Sequence, residues 1–218
     1  MRRALIGLAV ATLTVLALAG PASAAPGQAV VMRVTFHGTF ANALWSTSSP
    51  ASITYTTINA AQTPRPHGFM LFVDQATTNL DANGNVTGIT DTSFVVTSGF
   101  SFVIGKTLDS ATLSGSGLPA ATCTYDATGI LIGCTDTTID VNASWTGQGP
   151  LTPTVSNFHF KTAGFIENDH FNGTSRTATA TGTVGGLTLN AADLQGASLG
   201  TANSGTITIC KGNPSFCQ

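Results

Sequence analysis

The stretch "DANGNVTGITDT", from Asp81 to Thr92, recurs forty-five residues later as "DATGILIGCTDT", from Asp126 to Thr137, with seven of twelve positions identical. Its Asn83-Gly84 pair is a strong β-hairpin signal, because a two-residue type I′ turn requires positive φ at both central positions. Thr128-Gly129 holds the same place in the second copy. The repeat therefore predicts two copies of one hairpin.

Each copy is followed by alternating apolar and polar residues, the pattern of a strand with one side in the core and one in water. The apolar positions are Phe94, Val96, Phe100, Phe102 and Ile104 after the first copy, and Ile139, Val141, Ala143 and Trp145 after the second. The repeated unit is predicted to be a hairpin plus a long amphipathic strand, and it serves as scaffold.

Further strand patterns occupy 30–40, 53–58, 68–73, 175–184 and 205–210, and the only helical candidate is a short turn around 190–195. Many short strands with turn signals between them are typical of antiparallel sandwiches and barrels. We therefore predict an all-β protein, a single antiparallel sandwich or barrel of about 8–10 strands, with an internal hairpin-plus-strand repeat.

The N-terminus has the features of an export signal. Arg2 and Arg3 precede an apolar run that ends at Gly20-Pro21, and "ASA" at 22–24 fits a signal-peptidase site. The run is short for a membrane span, and no later run is long enough for one. We expect a signal peptide at 1–24, a single secreted, extracellular domain at 25–218, and no membrane span in the mature chain.

Charged residues are scarce, at 8% of the chain against about 25% in an average globular protein. Without the leader, six basic residues face ten acidic ones. This composition offers no basic stripe for a phosphate backbone, so we expect no nucleic-acid partner. The surface must be built from Thr, Ser, Asn and Gly.

An even number of cysteines in an exported chain favours disulfides. Counting outward from a two-residue turn at Thr128-Gly129 brings Cys134 opposite Cys123, within disulfide reach. We predict the local pairs Cys123–Cys134 and Cys210–Cys217. The rival, a metal–thiolate site, does not fit these spacings.

The densest polar cluster is "FIENDHFNG", which contains Glu167, Asp169 and His170. With His159 these side chains are a candidate metal site or acid–base pair. The alternative is a solvated loop, since Asn, Asp and Gly are turn residues. No G-x-S-x-G elbow, P-loop or dinucleotide motif is present, so we expect no catalytic residues and no cofactor.

Three aromatic residues are candidates for a sugar-stacking platform: Trp45, Trp145 and Tyr55. The alternative for the tryptophans is burial, because Trp145 continues the apolar alternation that starts at Ile139.

The segments "WTGQGP" and "FNGTSRTATATGTVGGL", together with the export signal, resemble small secreted β-rich proteins of actinomycete-type bacteria, most of them uncharacterised. The resemblance implies a secreted β-protein and brings no activity with it.

The sequence leaves three functional hypotheses. The first is a non-catalytic domain that binds a neutral surface (a glycan, the cell wall or a protein) or has a structural extracellular role. The second is an exported hydrolase or metal-dependent enzyme that uses the Glu167–His170 segment. The third is a carrier of a small apolar ligand, with a β-barrel cavity lined by Phe94, Phe100, Phe102 and Phe158. The oligomeric state is left open.

Overall fold

The computed structural model describes the backbone of residues 30–64, 67–162 and 165–211, and side chains within 37–63, 68–155 and 172–202. The elements are β1 (Val30–Ser49), β2 (Ser52–Pro64), β3 (His67–Leu80), β4 (Val86–Val96), β5 (Phe100–Ile104), β6 (Ser110–Asp126), β7 (Leu131–Thr162), β8 (Phe165–Val184), β9 (Leu187–Leu189) and β10 (Leu194–Lys211). A 3-10 turn at Ala191–Asp193 precedes β10. The all-β prediction is confirmed.

The strands form one sheet that returns on itself. The order is β10-β1-β2-β3-β4-β6-β7-β8-β9, with β5 on β6, and β10 also pairs with β8. The pairs β1–β2, β2–β3, β3–β4, β4–β6, β5–β6, β6–β7 and β8–β9 are antiparallel. Pairing of β8 with β10 closes the ring of strands, as in a sandwich or barrel, and leaves β5 and β9 outside it.

The chain divides into two compact units that share the long strands. One consists of Thr39–Leu151 and Ser175–Gly200, and the other contains the described parts of Met1–Gly38, Thr152–Thr174 and Thr201–Gln218. The single domain predicted at 25–218 stays a prediction. The hydrophobic core cluster lies in the first of these units.

The core of this unit is built by strand alternation. Apolar residues on one side of each strand form a single cluster, and residues between them point the other way. The larger members are Trp45, Ile58, Leu71, Val73, Phe94, Phe102, Leu118, Val141, Trp145 and Leu199. Trp145 Nε1 donates a hydrogen bond to the carbonyl oxygen of Asn42 at 3.0 Å, which satisfies a buried indole across the core.

The repeated hairpin is present, but its turn differs from the prediction. The N–H of Asp81 donates to the carbonyl of Asn85, and the N–H of Gly84 to the carbonyl of Asp81, which gives a three-residue loop. Gly84 has φ +82° and Gly129 has φ +84°, whereas neither Asn83 nor Thr128 has positive φ. A type I′ turn is therefore wrong; both loops are type I turns ending in a left-handed glycine.

A bulge next to each loop restores the register that the longer loop would otherwise shift. Tyr125 pairs with Leu131, but Thr124 pairs with Gly133, so Ile132 is the extra residue. Beyond it Cys123 faces Cys134, as predicted. The first copy has its bulge at the equivalent residue, Thr87.

The strand that follows the hairpin differs between the copies. In the second copy it is uninterrupted from Leu131 to Thr162 in β7. In the first it ends at Val96, and the chain bends at Thr97–Gly99 before β5 begins. The predicted single strand through Phe94 and Ile104 is wrong, because Gly99 adopts φ +84° and breaks the extended backbone.

The predicted leader, residues 1–24, lies outside the described residues. Within the described ranges, no helix has the length and apolar character to cross a membrane.

Candidate ligand-binding face

The predicted aromatic platform is divided between core and surface. Trp45 is 0% exposed and Trp145 is 1% exposed, so neither indole is available to stack on a sugar ring. Both lie on the core side because each continues the apolar alternation of its strand. Tyr55 points the other way from β2 and is 49% exposed, so it alone of the three lies at the surface.

The predicted metal-binding residues lie in strands. His159 belongs to β7, and Glu167, Asp169 and His170 belong to β8. A loop at Glu167–His170 is wrong, because the backbone of this segment belongs to strand β8. The four side chains lie outside the described part of the chain. Where side chains are described, no group of three or more His, Cys, Asp or Glu residues could hold a metal ion.

The non-core side of β6, β7 and β8 carries a block of uncharged polar side chains, which we call the hydroxyl face. Its nine members are Ser110, Thr112, Ser114, Asn142, Ser144, Thr146, Thr177, Thr179 and Thr181. All nine are exposed, and residues between them, such as Ala111, Ala143 and Ala178, are buried. Eight hydroxyl groups and one amide therefore project from one side of the sheet.

Strand pairing sets the geometry of the hydroxyl face. Ser110 lies opposite Thr146, Thr112 opposite Ser144, and Ser114 opposite Asn142. Thr179 Oγ1 donates a hydrogen bond to the carbonyl oxygen of Thr146 at 3.4 Å, so β8 lies beside β7 at this point. Neighbouring strands lie about 4.8 Å apart, and side chains on one side of a strand repeat about every 6.7 Å. The face is thus a regular grid of neutral donors and acceptors.

A second polar feature is the carboxyl pair Asp74 and Asp91. Asp91 faces Ala76 and Asp74 faces Ser93, so the two aspartates are diagonal neighbours on the same, non-core side of β3 and β4. Burial, a hydrogen bond to Asp91 and the charge of Asp91 together raise the pKa of Asp74 to about 7. Asp74 therefore gains or loses its proton near neutral pH.

Tyr55 lies close to this pair in the sheet. It faces Ala76 across β2 and β3, and Ala76 faces Asp91 across β3 and β4, so all three occupy one row on the non-core side. Asp91 Oδ1 is enclosed and has no hydrogen-bond partner among the described atoms. An aromatic ring and a carboxyl pair with a free acceptor oxygen are brought together here.

The repeated aspartates shape their own turns. Asp81 Oδ1 accepts hydrogen bonds from the N–H groups of Asn83 and Asn85, each at 2.8 Å. Asp126 Oδ1 accepts from the N–H groups of Thr128 at 2.8 Å and Ile130 at 2.9 Å. Such bonds fix a turn, which explains why the same phrase is used twice.

Three of the four phenylalanines predicted to line a ligand cavity are part of the packing. Phe94 and Phe102 belong to the core cluster, and Phe100 packs against it. Phe158 lies outside the residues whose side chains are described.

The disulfide links the two strands of the second hairpin. Cys123 and Cys134 are bonded, with their Cα atoms 4.0 Å apart. A disulfide is compatible with an extracellular protein. The predicted partners Cys210 and Cys217 lie outside the residues whose side chains the structure describes.

The sequence contains a signal for the hydroxyl face but none for the carboxyl pair. Alternation of Thr177, Thr179 and Thr181 with alanine indicates one polar side of β8, but only strand pairing sets it beside β6 and β7. Asp74 and Asp91 are seventeen positions apart, and the β3–β4 register brings them together.

No protein-family model matches the chain, and comparisons with curated proteins and with solved structures give no match either.

Proposed function

We propose that the protein is a secreted, non-catalytic domain that binds a neutral polysaccharide surface, such as a glycan of the cell wall, through the hydroxyl face. The observation that carries this proposal is the grid of nine exposed, uncharged polar side chains on adjacent strands. No charge has to be removed from water when such a face meets a neutral partner, so the desolvation cost is low.

The chemistry of the partner follows from that of the grid. Hydroxyl groups both donate and accept hydrogen bonds, and threonine methyl groups add apolar contact. An ordered polysaccharide offers its own hydroxyl groups and C–H faces at regular spacing. Each net hydrogen bond contributes only about 1 kcal/mol, so binding depends on many of them forming at once.

Retention on insoluble neutral polysaccharides and purified cell walls tests the proposal. The test variant is Thr112→Val/Thr146→Val/Thr179→Val, which removes three hydroxyl groups from the face while keeping β-branched side chains. The matched control is Thr87→Val/Thr97→Val/Thr188→Val, whose threonines are exposed elsewhere. Loss of three bonds of about 1 kcal/mol each weakens binding roughly 100-fold.

We expect the wild type and the control to be retained and the test variant to be released, with retention little affected by salt because no ion pairs contribute. Absence of wild-type retention on every matrix, or equal retention of the two variants, contradicts the proposal. A Tyr55→Ala variant shows whether the exposed ring adds to the same surface.

The carboxyl pair favours a second candidate, an exported hydrolase. A carboxyl group with a pKa of about 7 beside another carboxylate suits general acid–base catalysis at neutral pH. Release of reducing sugar from the same polysaccharides, abolished by Asp74→Asn, is the expected result for an enzyme. Retention without release favours the binding domain.

A further inference from the structure

The first part of β7, Leu131–Thr138, is a sheet edge that no other strand covers among the residues that the structure describes. On one side it pairs with β6, from Tyr125↔Leu131 to Pro119↔Thr138. Its other neighbour in the sheet is β8. The N–H of Gly185, just after β8, donates to the carbonyl of Asp140 at 2.9 Å, so β8 ends at the level of Asp140 and does not reach this segment. All eight residues from Leu131 to Thr138 are exposed, although they alternate between the two sides of the sheet.

The register shows which backbone groups face outward. In antiparallel sheets, opposite residues that exchange hydrogen bonds have Cα atoms about 5.5 Å apart, and those that do not are about 4.5 Å apart. Cys123 and Cys134 are 4.0 Å apart, so they form a non-hydrogen-bonded pair. Pro119 and Thr138 are also a non-hydrogen-bonded pair, because they lie an even number of residues from Cys123 and Cys134. This agrees with the chemistry of proline, which has no N–H to donate to β7.

It follows that Cys134, Asp136 and Thr138 direct their N–H and C=O groups away from β6, toward the free edge. Native proteins protect such edges with lysine, proline or a covering loop, because they are templates for another strand. Here the segment contains no proline or lysine, and Asp136 is its single charged residue. The segment also contains the exposed apolar side chain of Ile132, at 69%.

We propose that this edge binds the same edge of a second copy of the chain, in antiparallel register centred on Thr135. In this register Cys134 of each copy exchanges backbone hydrogen bonds with Asp136 of the other, and Ile132 lies opposite Thr138. Two threonines meet at the two-fold axis, a favourable cross-strand pair.

Charge selects this register from among those open to two copies. A register centred one residue later sets Asp136 against Asp136, which is unfavourable for like charges. The segment is otherwise uncharged and rich in β-branched threonine, so it is complementary to itself. An isologous contact of this kind covers both edges and closes after two copies. The proposal does not depend on the hydroxyl face.

Sedimentation equilibrium of the exported protein tests the proposal. Asp136→Pro removes an outward N–H without breaking a bond to β6, and Asp136→Asn removes the same charge but keeps the N–H. We expect the wild type and Asp136→Asn to form dimers, and Asp136→Pro to dimerise at least about tenfold more weakly.

Thr135→Lys is a second variant that leaves the backbone unchanged and sets two positive charges at the two-fold axis. We expect Thr135→Lys to be monomeric by sedimentation equilibrium and folded by circular dichroism. This variant tests the proposal even if Asp136→Pro fails to fold. A wild type that remains monomeric at high micromolar concentration, or dimers that persist in Thr135→Lys, would overturn the proposal.

Discussion

At the scale of single residues, the aspartates of this chain differ according to their partners. Hydrogen bonds from the Asn85 side chain and backbone lower the pKa of Asp81, and bonds from the Thr128 side chain and the Ile130 backbone lower that of Asp126. Asp74 has the opposite shift, because it is partly buried beside a second carboxyl group. The first two aspartates build turns, and the third holds a proton.

The Asp74 pKa predicts a pH dependence of stability. An acid whose pKa rises on folding, here from 3.8 to about 7, binds its proton more tightly in the folded state. Its contribution is fully present below pH 3.8 and is lost as pH rises toward 7, so the free energy of unfolding falls across that window. We expect Asp74→Asn to flatten this fall and to raise Tm above pH 7 relative to wild type.

Thermal unfolding between pH 4 and 8 measures this effect. The matched control is Thr97→Val, which changes an exposed residue that carries no ionisable group and should leave the wild-type slope unchanged. Equal slopes for Asp74→Asn and wild type would show that the carboxyl pair does not hold a proton.

At the scale of elements, close packing of strands constrains particular glycines. A Cβ atom at Gly182 in β8 would clash with the Asn142 carbonyl oxygen and lie 3.0 Å from Ala143 Cα. These are backbone atoms of β7, which cannot move aside as a side chain can. Gly182 therefore allows β7 and β8 to approach closely, and this contact positions Asn142 and Thr181 in the hydroxyl face.

We expect Gly182→Ala to destabilise the protein by about 1–3 kcal/mol, since the added methyl group overpacks a backbone contact. Gly196→Ala is the matched control, because a Cβ there meets no atom within 4 Å. Urea unfolding measures both variants. A loss of stability as large in Gly196→Ala as in Gly182→Ala would mean that the close approach is not the cause.

At the scale of the whole molecule, the disulfide and the proposed function both suit an exported protein. The predicted leader gives this idea a direct test. Expressed with its N-terminus intact in a bacterial host, the protein should appear outside the cytoplasm as a product that begins at Ala25.

Intact mass spectrometry determines the cleavage site, and peptide mapping without reduction should recover Cys123 joined to Cys134. Changing Arg2 and Arg3 to glutamate should reduce export, because the positive n-region is lost. A secreted product that retains residues 1–24 would contradict the predicted cleavage.

Local chemistry in the sequence determined most of the strands, the place of the repeated hairpin and the burial side of Trp145, because each depends on alternation or on residues close along the chain. The Cys123–Cys134 pair was predicted from a two-residue turn, whereas in the structure it depends on a three-residue loop and its bulge. Tertiary structure alone decided the rest. The bulge at Ile132 depends on how a three-residue loop meets its partner strand, and the carboxyl pair on the β3–β4 register. The grid of hydroxyl groups depends on β8 lying beside β7, and the free edge on where β8 ends. These features come from pairing between distant segments, which alternation within one segment does not specify.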